Sequence, residues 1–427
     1  MNSTASEVLD FVNENDVKFI RLGFCDPFGF QKNISIMADE LSGAFESGIS
    51  FDAHAIKGFR DVNQSDLLLF PDPATLTVLP WRPGSGRVAR FYCDIKNPDG
   101  SAFTQDGRYI LKNAVERTEK MGYVCKIGAE CEFYLFKTDE NGEPTHTTLD
   151  KGGYLDISPL DKGENIRREI CLTLEEMGIK PETSHHEQGP GQNEISFRFG
   201  DALESADNLL VFKSVVMAIA ARNGLFASFM PKPILNAPGS GLHVNLSLVQ
   251  NGVNVFKNAA GGNHSNVAES FIAGILAKTP EITLFLNPLS NSYERFGKYE
   301  APEYVSWSHQ NRSQLVRIPA AIGEKVRMEL RSPDPSINPH LAFALILSAG
   351  LDGIENDLIL PPPTDVDLYK ADGNTTNALK PLPHSLEEAI QLARRSELVK
   401  NVIGEELLTK YLLIKETEAA EFAAAKD

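Results

Sequence analysis

Charged side chains recur at every second position in four short segments of the sequence. Side chains at positions i, i+2 and i+4 of a β-strand share one face, so each segment predicts a strand with a polar face. A half-solvated antiparallel sheet alternates in the same way without any function. Here the polar faces carry Glu, Arg, His and Asn but no Lys, which favours a site over a surface. The four sets are Glu130, Glu132 and Tyr134; Glu194, Ser196 and Arg198; His243, Asn245 and Ser247; and Arg327, Glu329 and Arg331.

The carboxylates and the single imidazole of these segments could hold divalent cations. Oxygen-rich ligation with one histidine favours Mg²⁺ or Mn²⁺ over metals that prefer thiolates. Two such ions can neutralise the charge on a phosphoryl group during its transfer. The candidate ligands, enough for two sites of about three protein ligands each, are Glu130, Glu132, Glu187, Glu194, His243 and Glu329.

Arginines are concentrated in one short window of this acidic chain. Arginine recognises carboxylate and phosphate through two parallel hydrogen bonds. Scattered arginines usually form surface ion pairs, but these surround the candidate ligand Glu329, which favours anion binding. Metal carboxylates beside arginines predict ATP-dependent phosphoryl transfer to an anionic acceptor, although the sequence has no Walker A motif and no kinase glycine-rich loop. The arginines are Arg295, Arg312, Arg317, Arg327 and Arg331.

Length and composition narrow the class of protein. A chain of 427 residues predicts two or three domains. The net charge of −17 argues against nucleic-acid binding, which depends on Lys and Arg. Five cysteines without a Cys-x-x-Cys pair indicate a reducing cytoplasm. No secretory signal is visible, and the longest apolar stretch, residues 341–351, is too short for a bilayer. We therefore expect a cytoplasmic protein that binds neither nucleic acid nor membranes.

The elements that must position these residues divide the chain near residue 100. Residues 1–100 read as a small β-rich domain, and residues 101–427 alternate strands and helices around the polar-faced segments. The N-terminal strands are predicted at 17–22, 31–36, 66–70 and 75–80. The helices are predicted at 106–121, 162–177, 206–223, 265–277, 338–356 and 386–413, the last with a break near Gly404.

From residue 17 to residue 421 the chain resembles the glutamine synthetase family, of the bacterial type I kind. The resemblance implies an α+β fold, with a small N-terminal β-grasp domain and a large catalytic domain whose curved antiparallel sheet is flanked by helices. The motifs that carry it are Gly-Ala-Glu-Cys-Glu-Phe-Tyr at 128–134, His-His-Glu at 185–187, Gly-Gln-Asn-Glu at 191–194, Phe-Met-Pro-Lys-Pro at 229–233, Gly-Ser-Gly-Leu-His at 239–243, Asn-Ser-Tyr-Glu-Arg at 291–295, Tyr-Glu-Ala-Pro at 299–302, Asn-Arg-Ser at 311–313 and Arg-Met-Glu-Leu-Arg at 327–331.

The resemblance also implies a role for each matching residue. Two or more Mg²⁺ or Mn²⁺ ions would be held, one near the amino acid by Glu132, Glu187 and Glu194, and one among the ATP phosphates by Glu130, His243 and Glu329. Glutamate and the transferred phosphoryl group would be bound by Gly239, Arg295, Arg312 and Arg331. The nucleotide would be bound by Glu182, Phe199, Ser247, Arg317 and Arg327. Glu300 would close the site as part of a flap, and Asp52 would help to deprotonate ammonium across a subunit interface.

The implied function is ATP-dependent formation of glutamine from glutamate and ammonia through γ-glutamyl phosphate. The implied assembly is a homo-oligomeric ring, a hexamer or a dodecamer, with active sites at subunit interfaces. Two departures from the family pattern, Ala55 in place of a serine and Pro238 in place of an asparagine, lie near the acceptor and glutamate regions. They leave open a γ-glutamylamide synthetase that uses a polyamine or another amine; a non-catalytic paralogue is a third alternative. His54 and His185 are interpreted as structural residues.

Overall fold

The computed structural model describes residues 4–82, 84–258 and 264–426, and the N-terminal part forms one six-stranded sheet. The strand order is β2-β1-β6-β4-β3, with β5 beside β6. The β1–β6 pair is parallel and the other pairs are antiparallel. The elements are α1 (Ala5–Glu14), β1 (Val17–Cys25), β2 (Gln31–Met37), α2 (Leu41–Ser47), β3 (Ile49–Asp52), β4 (Asp66–Pro71), β5 (Thr77–Val78) and β6 (Arg87–Lys96).

A second sheet forms the centre of the C-terminal part. Its strands run in the order β14-β15-β16-β12-β7-β10-β9, and β8, β11 and β13 pair with β7 or β12. Every pair is antiparallel except β14–β15, so the curved antiparallel sheet expected from the resemblance is a curled sheet with one parallel pair at its edge. The strands are β7 (Val124–Thr138), β8 (Pro144–Thr148), β9 (Pro181–His186), β10 (Gln192–Asp201), β11 (Leu225–Ser228), β12 (Leu242–Gln250), β13 (Val253–Asn254), β14 (Trp307–His309), β15 (Val316–Ile318) and β16 (Met328–Leu330).

Helices cover the apolar face of this sheet. Helices α6 and α7 pack so closely that a Cβ atom on Gly274 would lie 2.2 Å from the Ala349 carbonyl oxygen, so only glycine permits the contact. Among the described residues, no helix is long and apolar enough to cross a membrane. The helices are α3 (Gly107–Lys120), α4 (Glu164–Glu176), α5 (Ala202–Arg222), α6 (Asn266–Leu286), α7 (Pro339–Glu355), α8 (Gly373–Asn377), α9 (Leu386–Arg395), α10 (Glu397–Ile403) and α11 (Glu405–Lys426).

Each sheet has its own hydrophobic core, and polar contacts join the two parts. Arg108 of α3 is buried and binds Asp94 of β6 at 2.7 Å, Asp72 at 2.8 Å and Asp207 of α5 at 3.0 Å. Asn338, the N-cap of α7, donates its side-chain amide to the Asp26 carbonyl at 2.8 Å. These contacts hold the N-terminal sheet against α3, α5 and α7.

The observed elements differ from the sequence predictions mainly at their ends. The strand predicted at 75–80 is reduced to two residues, because Asp72 caps a 3₁₀ turn over Pro73–Thr75. The predicted break at Gly404 is present with a positive φ of 83°, and Ser396 adds a second break as the N-cap of α10. Helix α6 continues past its predicted end through Pro280, because its last residues, including Ile282 and Leu284, are buried.

Candidate functional site

The four segments with polar faces lie on adjacent strands. Strands β16, β12, β7 and β10 are neighbours in the C-terminal sheet. The strand register places His243 opposite Glu130 and Glu194 opposite Glu132. Asn245 lies between Gly128 on one side and Glu329 on the other. The polar faces therefore combine into one patch, while the alternate residues of each strand enter the core.

This polar patch lines two cavities that share one residue, Glu130. The first cavity, the carboxylate cavity, has a volume of about 510 Å³, and the second, the lateral cavity, about 260 Å³. The carboxylate cavity is lined by the candidate residues Glu130, Glu132, Glu187, Glu194, Gly239, His243, Arg295, Glu300, Arg312 and Arg331. The lateral cavity is lined by the candidate residues Glu130, Glu182, Phe199, Ser247 and Arg327.

The candidate ligands fall into three groups, each with ligand atoms within 4.8 Å of one another. One group is the expected set of Glu130, His243 and Glu329. The other expected set is divided, because Glu132 and Glu194 group with His243, whereas Glu187 and Glu194 group with His185. The His185 Nε2 atom lies 2.9 Å from Glu187 Oε1. His185, interpreted from the sequence as structural, is thus part of the cluster.

Burial and mutual repulsion make two of these carboxylates hard to ionise. Burial, with the charge of Glu187, raises the pKa of Glu132 from its ordinary 4.5 to about 7. Burial, with the charge of Glu132, raises the pKa of Glu194 well above its ordinary value. A divalent cation would relieve both effects, since it supplies positive charge where the polar face has too little. The donor set and its electrostatics therefore fit Mg²⁺ or Mn²⁺.

Two further carboxylates, Glu130 and Glu329, already face cations or hydrogen-bond donors. Burial acts to raise the pKa of Glu130, but the nearby His243, the hydrogen bond from Asn245 and the charge of Arg327 outweigh it and lower the pKa to about 2. Glu329 is fully buried, and its two carboxylate oxygens bind Arg317 and Arg331. These arginines and His243 lower the pKa of Glu329 despite its burial. This half of the cluster is ionised in the protein itself.

Side chains to which the sequence analysis gave no role fix the orientation of the carboxylates. Gln192 donates its amide to Glu132 Oε2 at 2.8 Å, and the Gly241 backbone N–H donates to the same oxygen at 2.9 Å. The buried His186 ring lies 2.9 Å from Asp150 Oδ1 and 2.6 Å from the Glu187 carbonyl oxygen. Gln192 and His186 belong to the motifs at 191–194 and 185–187, which was the signal available for finding them.

Arginines make up a second part of the wall of the carboxylate cavity. Arg295 is buried and donates to the Ser332 carbonyl at 3.0 Å. A Cβ atom on Gly239 would lie 2.5 Å from Arg295 Cγ, so glycine is required for this close approach. Arg331 is buried beside Glu329, and Arg312 is exposed on the loop between β14 and β15. The cavity thus has an acidic wall and a basic wall.

Glu300 lies at the mouth of the carboxylate cavity on a strained turn. Both Tyr299 and Glu300 have positive φ, 48° and 65°, which non-glycine residues rarely adopt. The Arg331 Nη2 atom lies 3.6 Å from Glu300 Oε2 and 3.4 Å from its carbonyl oxygen. The turn is therefore attached to the basic wall by a charged contact while its side chains remain half exposed.

A β-bulge brings Phe199 to the lateral cavity. Strict alternation would direct Phe199 with Phe197 into the core, but the register of β10 against β7 shifts between Phe197 and Gly200. Phe199 is 57% exposed, and a Cβ atom on Gly128 would lie 3.4 Å from Phe199 Cβ. Arg198, expected on the polar face, is exposed and lies 3.7 Å from Glu182.

Arg327 and Asn245 connect the lateral cavity to Glu130. Arg327 Nε donates to Asn245 Oδ1 at 2.8 Å, and Asn245 donates to Glu130 Oε1 at 3.0 Å. Arg317, grouped with Arg327 by the sequence analysis, instead binds Glu329.

Asp52 is separated from both cavities of its own chain. It ends β3 in the N-terminal sheet, is exposed, and accepts a hydrogen bond from the His54 backbone N–H at 2.9 Å. The structure of one chain does not bring it to the carboxylates. Its expected role across a subunit interface stays a prediction.

Comparisons with known proteins match both parts of the chain to the same family. Residues 16–98 match the family model described as the glutamine synthetase β-grasp domain, and residues 104–427 match the glutamine synthetase catalytic domain. A glutamine synthetase of Methanosarcina mazei is 47% identical over 426 residues, which cover 99% of this chain and 95% of the relative. One of Clostridium saccharobutylicum is 46% identical over 419 residues, covering 97% and 95%.

Solved structures agree with the sequence comparisons. A structure titled "GmaS/ADP complex" superposes with a TM-score of 0.89 at 30% identity, covering 99% of this chain and 97% of the other. A structure titled "Apo GmaS without ligand" has a TM-score of 0.88 with the same identity and coverage. The two family models, the full-length relatives and the arrangement of the cavities lead to one conclusion: the chain belongs to the glutamine synthetase family.

Proposed function

We propose that the chain catalyses the ATP-dependent formation of glutamine from glutamate and ammonia through γ-glutamyl phosphate. The observation that carries the proposal is that two cavities of different character meet at one carboxylate, Glu130. One has an acidic and a basic wall suited to an amino acid, and the other has an exposed aromatic ring suited to a base. A phosphoryl group passing between two substrates must lie where the two cavities join.

The nucleotide is assigned to the lateral cavity. Phe199 offers a face for stacking on adenine, and Glu182 and Ser247 offer polar atoms at the cavity wall. Arg327 faces the phosphates, and Arg317 acts through Glu329. A structure titled as an ADP complex superposes with a TM-score of 0.89, which supports nucleotide binding by this fold.

Two or more Mg²⁺ or Mn²⁺ ions are assigned to the carboxylate cluster. Glu132, Glu187 and Glu194 would hold the ion near the amino acid, and His185 groups with Glu187 and Glu194. The ion near the phosphates is assigned to Glu130, His243 and Glu329. When bound, these ions offset the repulsion between the glutamate carboxylate and the ATP γ-phosphate.

The chain's own residues bind glutamate and stabilise the charge that develops on it. Arg295 and Arg331 are buried, so their charges act in a medium of low polarity, and Arg312 can approach from the exposed loop. Gly239 leaves room for the substrate against Arg295. Glu300, on its strained turn at the mouth, closes the cavity and keeps water from the acyl phosphate.

The ammonium pocket is completed by a second subunit. Asp52 is exposed on the N-terminal sheet and is assigned to the neighbouring subunit's carboxylate cavity, where it takes a proton from ammonium together with Glu187 and Glu300. Three apolar side chains on the segment after Tyr154, a residue of the cavity wall, are 58%, 76% and 59% exposed, which supports a subunit contact there. They are Leu155, Ile157 and Leu160.

The assembly, domain division and compartment complete the proposal. The protein is a homo-oligomeric ring, hexameric or dodecameric, in the cytoplasm, and it divides into an N-terminal domain of residues 1–100 and a catalytic domain of residues 101–427. The strand β6 ends at Lys96 and helix α3 begins at Gly107, which supports a division between them.

Phosphate release tests the proposed reaction. The full-length protein is assayed with ATP, glutamate and Mg²⁺ or Mn²⁺, across ammonium, methylamine, ethanolamine and putrescine. Turnover at low ammonium with glutamine as the product supports the proposal. A higher kcat/KM with any amine than with ammonium would contradict it, as would the absence of turnover while ATP is still bound.

A further inference from the structure

A third cavity, the junction cavity, lies where the N-terminal sheet packs on the catalytic domain. Its volume is about 110 Å³, which suits a small ion and is far too small for a nucleotide. One wall is made by strands of the N-terminal sheet and the other by helix α5 and the end of helix α4. The lining residues used below are Arg21, Gly23, Gln31, Lys32, Arg90, Tyr92 and Ser214.

The junction cavity is basic. Of the residues that the structure describes, Arg21, Lys32 and Arg90 line it and no acidic side chain does, although the chain as a whole carries a net charge of −17. Lys32 lies 3.7 Å from the Asp26 carboxylate. Within residues 4–82, 84–258 and 264–426, Arg21 and Arg90 take part in no ion pair. The positive charge of the cavity is therefore not balanced by neighbouring carboxylates.

The two arginines lie side by side. Arg21 of β1 and Arg90 of β6 are paired residues in the strand register. Like charges on paired positions of neighbouring strands destabilise a sheet unless a counter-charge is present. Burial, together with the charge of Arg82, lowers the pKa of Arg21. Both arginines also line the junction cavity, so an anion bound there would lie beside two positive charges.

Arg90 is held in place but keeps a free hydrogen-bonding edge. Its guanidinium stacks over the Tyr92 ring with the carbon 4.1 Å from the ring centroid. Among the described residues, its buried Nε atom has no hydrogen-bond partner, and its Nη2 atom has a long contact of 3.5 Å to the Thr77 hydroxyl. A buried donor without an acceptor costs stability. An oxyanion would satisfy it through the two-point geometry that guanidinium groups offer.

The remaining walls are fixed and leave the space open. Gln31 is anchored by donating its amide to the Leu210 carbonyl at 2.8 Å and accepting from the Ser214 hydroxyl at 3.1 Å. Gly23 lies opposite Tyr92 in the register and has no side chain to fill the gap. A Cβ atom there would lie 3.8 Å from Arg90 Cδ. The cavity is thus formed by rigid neighbours.

We propose that the junction cavity binds a small oxyanion, a phosphate or a carboxylate, between Arg21 and Arg90. This site is separate from both catalytic cavities, which share none of its lining residues. Because its walls belong to the N-terminal sheet and to helix α5, the bound anion stabilises the junction between the two parts of the chain. The proposal goes beyond the proposed reaction and does not depend on it.

Isothermal titration of the full-length protein with inorganic phosphate, and separately with succinate, tests the site. Phosphate can also bind in the catalytic cavity, so two classes of site are expected in the wild type. Arg90→Met keeps an apolar side chain that can pack on Tyr92 and removes the charge. The phosphate affinity of one class of site should fall at least about tenfold, while the turnover of the enzyme is retained. Arg87→Gln, exposed on the same strand, is the control and should leave both classes unchanged.

The two anions distinguish the source of the ligand. If Arg90→Met weakens the binding of phosphate alone, the ligand of the site is a phosphate. If it weakens the binding of succinate alone, the ligand is a carboxylate. The proposal would be overturned if Arg90→Met bound phosphate at both classes of site with wild-type affinities. It would also be overturned if the substitution changed the binding of neither phosphate nor succinate.

A second variant supplies the anion from the protein itself. Ser214→Glu places a carboxylate on helix α5 in the wall of the cavity that Arg21 and Arg90 also line, at the cost of the Ser214–Gln31 hydrogen bond. We expect a higher thermal unfolding midpoint than in the wild type without added anion, and no further rise when phosphate is added. A lower thermal unfolding midpoint, together with a rise on adding phosphate as large as in the wild type, would count against the proposal. Such a result would mean that a negative charge in the cavity does not stabilise the protein.

Discussion

Glu132→Gln should make the metal-free protein more stable, although it removes a candidate metal ligand. Glu132 is 9% exposed, and burial with the charge of Glu187 raises its pKa from 4.5 to about 7. Glutamine has nearly the same shape. Its amide oxygen can keep both hydrogen bonds that Glu132 Oε2 accepts, from Gln192 at 2.8 Å and from the Gly241 N–H at 2.9 Å. The substitution therefore removes the charge and leaves the packing.

The size and pH dependence of the effect follow from the pKa shift. A rise from 4.5 to about 7 corresponds to about 3 kcal/mol against the ionised folded state. Because an amide group is buried instead, we expect a net gain of about 1–3 kcal/mol at pH 8. The unfolded chain loses this proton near pH 4.5 and the folded chain near pH 7. The wild type therefore loses stability as pH rises through this window, and the variant's advantage vanishes below it.

Urea unfolding followed by circular dichroism measures this difference. It is carried out at pH 4.5 and pH 8 with EDTA, and at pH 8 with saturating Mn²⁺, at one protein concentration because assembly also affects stability. With Mn²⁺ the order should reverse, since the wild type binds the ion more tightly. Glu175→Gln, at an exposed position of helix α4, is the matched control. A Glu132→Gln protein less stable than the wild type at pH 8 in EDTA would refute the reasoning.

Three further substitutions test other parts of the molecule. Phe199→Ala should raise the KM for ATP about tenfold, the loss of one stacking contact, and leave the KM for glutamate unchanged in steady-state assays. Glu300→Gln should lower kcat by about 10²-fold with little change in ATP binding, as stopped-flow phosphate release can show; an unchanged kcat would remove Glu300 from the mechanism. Arg108→Met should cost about 3–5 kcal/mol in urea unfolding, because Asp207 stays buried and loses its main counter-charge; a loss below 1 kcal/mol would contradict the importance of this ion cluster.

The sequence predicted which face each strand would direct towards the site, but not which strands would be neighbours. Alternation of Glu130 with Cys131, or of His243 with Val244, is local and needs only the period of a strand. That His243 lies opposite Glu130 depends on the pairing of β12 with β7, strands separated by more than one hundred residues. The register between paired strands is set by burial across the whole sheet and cannot be predicted from any one segment.

Local irregularities limited the prediction in the same way. The bulge in β10 reverses the alternation after Phe197 and moves Phe199 to the polar face, which no period-two pattern can anticipate. The division of the 386–413 helix at Ser396 depends on its hydroxyl capping Val399 at 3.2 Å. Serine is common inside helices as well as at their ends, so the residue type alone does not decide between them.

The two halves of the carboxylate cluster differ in what a cation would gain there. Glu329 already binds two arginines, so an ion approaching it competes with charges that the protein has placed permanently. Within the described part of the chain, neither Glu132 nor Glu194 forms an ion pair with an arginine. Burial and the neighbouring carboxylates raise the pKa of both, although His243 and Arg295 act in the opposite direction on Glu132. A divalent ion therefore relieves more repulsion beside Glu132 than beside Glu329. The half around Glu132 is therefore suited to hold an ion before the substrates bind. The half around Glu329 is suited to an ion that binds together with the nucleotide phosphates, because the arginines there also attract the negative charge of those phosphates.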